Sequence, residues 1–215
     1  MLGALATVAV VAAGAPPASL SADLDGDGHK ERVRFAVVQC VGRTAAHKPP
    51  CRSGERGDSA VVIEGRCRDG RTVRRVVSVI LGGQLDDLRV ADADGRGGTP
   101  EVFFDVRQTS AGIDAQVVRW RARGAGCPRE RVLFRFPTRP NTLPAPAGAA
   151  ARITADASLA DRSKAHRGLE VLVTEGFPRM GDLTFKPAIE RDNLFRFDQR
   201  RGIYVRYATH LRTLT

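Results

Sequence analysis

Three times along this chain an Ala-Asp pair opens a polar turn that ends in an acidic residue heading an apolar run. The segments are ADLDGDGHKERVRFAVV around Asp23, ADADGRGGTPEVFFDV around Asp92 and ADASLADRSKAHRGLEVLV around Asp156. Glu31, Glu101 and Glu170 head the three runs and are separated by 70 and 69 residues. A near-constant interval of this kind marks copies of one supersecondary unit, none of which buries its apolar face alone. The first two copies keep a Gly-rich centre, whereas the third has a longer loop, with Asp156 and Ser158 and no such centre.

Between these markers the chain reads as short strands rich in Val, Ile, Phe and Tyr, bounded by Gly, Asp, Asn and Pro. The runs are Val33–Gln39, Ala60–Glu64, Thr72–Leu81, Val102–Arg107, Ala115–Ala122, Arg131–Phe136, Glu170–Thr174, Asn193–Phe197 and Tyr204–Tyr207. Helical periodicity shows only over Ala147–Lys164. The expected fold is mostly β, with repeats at about 19–87, 88–136 and 150–215, each an antiparallel meander of three or four strands, and a Pro-rich connector over 137–149. With 42% hydrophobic residues in 215, the chain can bury a core, and the composition excludes a disordered tail, a collagen repeat and a polytopic membrane protein.

Two features point to export. Residues 1–18 contain the apolar, uncharged LGALATVAVVAAGAPP at 2–17, too short for a membrane span and suited to the core of a signal peptide, so the mature domain is expected over 19–215. Cys40, Cys51, Cys67 and Cys127 make an even set, and their spacings of 11, 16 and 60 fit no common zinc pattern. Two disulfides are expected, with three pairings open.

The segment DLDGDGHKE carries the clearest chemistry. Carboxylates at alternate positions of a tight loop converge on one point, which is what a hard cation such as calcium requires. Asp23, Asp25 and Asp27 supply them, His29 offers its carbonyl, and Glu31 can close the shell from the strand. An EF-hand is excluded by counting, because its twelfth, acidic position falls on Arg34.

This D-x-D-G-D-G loop leading into a strand resembles the calcium-binding loops of integrin-alpha-type FG-GAP repeats and of bacterial VCBS-type repeat proteins. The resemblance covers the three loop-plus-strand segments, about a third of the chain. It implies β-propeller blades and a structural calcium ion held by Asp23, Asp25, Asp27, the His29 carbonyl and Glu31. A degenerate second loop would use Asp92, Asp94 and Glu101, with Arg96 where a third Asp is expected. The family's Phe-Gly and Gly-Ala-Pro elements are absent, and three repeats fall short of the four to eight blades of a closed propeller. The expectation is a partial or open propeller-like array, with a compact barrel or sandwich as the alternative.

The charge of +10 rests on 34 basic against 24 acidic residues. Arg119, Arg121 and Arg123 alternate on one strand, and Arg131 and Arg135 on the next, a pattern that could dock a polyanion such as an acidic glycan or cell-surface polymer. Nucleic acid is the least favoured polyanion for an exported chain, and one Trp among those arginines offers little base-stacking surface. The four histidines are scattered and no nucleophile elbow, P-loop or zincin motif occurs. Asp86 with Asp87, and Glu175 with Asp182, read as solvated turn residues. The sequence therefore points to a secreted, calcium-binding β-repeat protein acting as a binding or structural module, with a secreted carbohydrate-active hydrolase or lyase as the alternative.

Overall fold

The computed structural model describes residues 19–41, 46–51, 56–81, 83–108, 112–122, 126–139, 141–161, 168–182, 184 and 186–214. The proposed leader and Arg123 lie outside these residues. Twelve strands form three four-stranded antiparallel sheets. The first sheet holds β1 (Ser19–Ala22), β2 (Glu31–Val41), β3 (Arg56–Arg66) and β4 (Thr72–Leu81). The second holds β5 (Gln84–Ala91), β6 (Glu101–Arg107), β7 (Ile113–Ala122) and β8 (Pro128–Phe136). The third holds β9 (Thr154–Ala160), β10 (Glu170–Phe177), β11 (Ile189–Asp198) and β12 (Ile203–Thr213). Within each sheet neighbouring strands are consecutive in sequence, as expected for meanders.

Side-chain alternation explains how the sheets stack. On β6, Val102, Phe104 and Val106 face the first sheet and pack in one cluster with Val33, Val61, Ile63 and Trp120. Phe103, one residue out of phase, belongs to a second cluster with Phe134, Val171, Val173 and Phe195. The second sheet is thus a middle layer buried on both faces, which is why its central strand reads as the nearly unbroken apolar run EVFFDV.

Cys40 pairs with Cys51 and Cys67 with Cys127, which resolves the open pairing. The second bridge ties the end of β3 to the start of β8 and so links the first two sheets. Because it closes 60 residues of separation, against 11 for the other, chain entropy assigns it about 4 kcal/mol and the shorter bridge about 3. Replacing Cys67 and Cys127 together by Ser is expected to lower the calorimetric melting temperature more than replacing Cys40 and Cys51.

Several expectations are corrected. All nine expected runs lie inside strands, but each sheet also opens with a strand the sequence reading did not name: β1, β5 and β9. Residues 154–160 are extended, not helical. Ala155, Ala157 and Leu159 are buried on one face at a period of two, a pattern that small residues make hard to tell from a helix. Asp156 therefore sits within a strand, and the third loop begins at Asp161. In that register Asp23, Asp92 and Asp161 are 69 residues apart in both intervals. The boundary between the first two repeats moves as well, since Gln84–Ala91 belong to the second sheet. Asp86 and Asp87 lie in β5 and Glu175 in β10, not in turns. Among the described residues no helix is long and apolar enough to cross a membrane.

Candidate metal centre

The pairing of Ala22 with Glu31 forces the residues between them to reverse the chain in one tight loop. Gly26 and Gly28, at φ of 78° and 87°, take the left-handed conformations that make the reversal possible. The Asp23 carboxylate braces the loop from inside, accepting the Gly26 amide at 2.7 Å and the Gly28 amide at 3.0 Å. Asp25 accepts from the Asp27 amide and Asp27 from the His29 amide. One carboxylate oxygen from each of Asp23, Asp25 and Asp27 falls within 4.8 Å of the other two. Partial burial, then repulsion from Asp27 and Asp23, holds the Asp25 carboxyl above its usual range.

Glu31, expected to close the shell, does not join the converging trio, although it is near enough to Asp25 and Asp27 to feel their charge. Its Oε2 accepts the Leu24 amide at 2.7 Å, while its buried Oε1 has no hydrogen-bond partner. Burial is the main cause that pushes its carboxyl up to about 6. His29 is exposed, and its amide is committed to Asp27.

The second loop is built to the same plan. The Gly97 amide donates to Asp92 and the Arg96 amide to Asp94, and Glu101 accepts the Ala93 and Asp94 amides as Glu31 accepts that of Leu24. Asp92, Asp94 and Glu101 also converge within 4.8 Å. The difference is Arg119, which donates to Glu101 Oε1 through Nε at 2.9 Å and through Nη2 to both Glu101 and Asp94. Arg119 follows Val118, the partner of Val102, just as Gly65 follows Glu64, the partner of Arg32. The first repeat therefore carries Gly65 where the second carries a guanidinium. A Cβ on Gly65 would come within 2.8 Å of Glu31 Cγ. Arg96, in the place of Asp27, donates through Nη2 to the Gln199 carbonyl at 2.9 Å while its Nε stays 3.7 Å from Asp94 Oδ2.

Comparison with protein families, curated proteins and solved structures found no match. The chemistry of the chain is thus read from its own repeats. The first loop offers three carboxylates with no ion pair among the described residues, and it could hold a metal ion. The second already holds its own cation. Of the third loop, Asp161, Gly168 and Leu169 are described; a Cβ on Gly168 would fall 2.8 Å from the Ala93 carbonyl, and the Leu169 amide donates to that carbonyl at 3.0 Å. Gly26 in turn lies against Thr99. The loops therefore line one edge of the stacked sheets.

The expected arginine face is largely committed to the protein itself. Arg119 is buried in the second loop, Arg135 pairs with Asp114, and Arg131 donates to the Gly202 carbonyl. Arg121 remains exposed. Glu175, buried at 2%, accepts from Arg152, Arg191 and Asn193 and so fastens β10 to β11.

Sequence reasoning did not single out Asp105 on β6. It is fully buried, and burial above all pushes its carboxyl up to about 7, helped by Asp156 and Asp86. A folded-state value above the ordinary 3.8 means the folded chain keeps a proton that the unfolded chain has released, so stability falls as pH rises from about 4 to 7. At about 1.4 kcal/mol per unit the effect is bounded at about 4 kcal/mol. In chelated buffer, wild-type melting is expected to decline across this window relative to Asp105→Asn.

Proposed function

We propose that this chain is an exported, calcium-stabilised β-repeat protein, a partial propeller-like array of FG-GAP/VCBS type that serves as a non-catalytic binding or structural module at the cell surface. One observation carries the reading: Asp23, Asp25 and Asp27 converge in a loop whose sister site is neutralised by Arg119, while the first repeat supplies Gly65 there. Three carboxylates this close repel one another, and a hard divalent cation with oxygen preference removes that cost. Arg119 does this permanently for Asp94 and Glu101 of the second loop. Two disulfides suit an oxidising, extracellular-type compartment.

The proposed partner is an anionic glycan or cell-surface polymer, reached through exposed guanidiniums such as Arg121. Incubating the protein with immobilised acidic polysaccharides tests this. Retention that weakens with salt and Arg121→Ala, with no new reducing ends, supports the module. Release of reducing ends would replace it with the carbohydrate-active reading.

A further inference from the structure

We infer that Asp86, Asp105 and Asp156 form a second binding site for a hard divalent cation, at the seam between the middle and third sheets. Nothing in this inference depends on the first loop. The three residues come from β5, β6 and β9, far apart in sequence, yet one carboxylate oxygen of each lies within 4.8 Å of the others.

Asp105 forms the floor. Its Oδ2 accepts the Ala157 amide at 2.9 Å, which caps the unpaired edge of β9. Its Oδ1, equally buried, has no hydrogen-bond partner. An Asn would cap that edge equally well, so the edge explains neither the charge nor the two further carboxylates drawn toward it. Leaving an ionised carboxylate buried without a counter-charge is strongly unfavourable.

Arg107 makes its ion pairs at the rim. Its Nε lies 2.6 Å from Asp86 Oδ2 and its Nη2 3.6 Å from Asp156 Oδ1, with the side chain 42% exposed. Three carboxylates and one guanidinium leave two negative charges, the complement of a divalent ion. The contrast with the second loop is direct, since there Arg119 reaches both buried acids. The Asp156 side chain is 64% exposed, so the site opens to solvent and a bound ion would complete its shell with water.

The test uses the full chain at pH 8 with Asp25→Asn and Asp27→Asn together, which empties the first loop while keeping the side-chain oxygens that accept its backbone amides. Titration calorimetry with calcium chloride, and separately manganese chloride, is expected to show one equivalent bound. Adding Asp86→Asn or Asp156→Asn, both at partly exposed positions, should weaken that binding at least tenfold with unchanged circular dichroism. Asp105→Asn should abolish it while raising the metal-free melting temperature. If the emptied-loop protein binds no cation, and Asp105→Asn still raises the melting temperature, a proton and not a cation balances Asp105 and the inference is overturned. One equivalent in the wild type that disappears with the first loop refutes this site alone. One that survives there and disappears with Asp86→Asn refutes the first-loop reading alone.

Discussion

Asp25→Asn is expected to reverse its effect on stability with the metal content of the buffer. In chelator the variant should melt at or above the wild type, because one member of a mutually repelling trio is gone and Asn still accepts the Asp27 amide. In excess calcium it should melt below the wild type. An ion bound only by the folded chain stabilises by about 2.7 kcal/mol at a hundredfold excess over its dissociation constant, or roughly 5–10 °C for a domain of this size. Most of that rise should be missing from the variant, and any residue should vanish with Asp86→Asn. Differential scanning calorimetry in the two buffers measures both halves. Asp23→Asn is a poorer probe, since both Asp23 oxygens hold loop amides and its loss would disturb the fold with or without metal.

Arg119→Met should be among the most damaging single substitutions at neutral pH. It keeps the aliphatic stem but removes the guanidinium that sits over Phe197 and pairs with Asp94 and Glu101, which are 2% and 1% exposed. Removing one partner of a buried ion pair costs about 3–5 kcal/mol. The second loop then keeps three converging carboxylates with only Arg96 beside them, so added calcium should restore part of the lost stability. Pairing Arg119→Met with Glu101→Gln should recover part of the stability without calcium, because one of the two stranded charges is gone. Melting curves of the single and double variants, each with calcium and with chelator, separate these outcomes. A single variant as stable as wild type would show that the guanidinium does not neutralise the loop.

The parts of this structure legible in the sequence are those written in local pattern. Val33–Gln39 or Val102–Arg107 announce themselves by β-branched and aromatic content, and Asp23–Asp27 by alternate carboxylates with intervening glycines. The strands that escaped, SLSA, QLDDLRVA and TADASLA, are short, polar or Ala-rich, and their extended form is imposed by pairing with the strand that follows. Reading the third repeat from Asp156 instead of Asp161 followed from the same loss of signal in β9. The balance of charge was least legible. Arg119 meets Glu101, and Gly65 meets Glu31, through cross-strand register, and hairpins of unequal length hide that equivalence from any count along the chain. Asp105 reaches Asp156 only because two sheets stack face to face.

The opening interval between loops thus has two chemical outcomes: one copy closed by its own guanidinium, one left for an ion. Crystals soaked in a lanthanide, with data collected for anomalous scattering, put this most directly to the test. A peak among Asp23, Asp25 and Asp27, and none among Asp92, Asp94 and Glu101 around Arg119, is the expected result. A first loop without a peak, or a peak of equal height in the second with Arg119 in place, would contradict it.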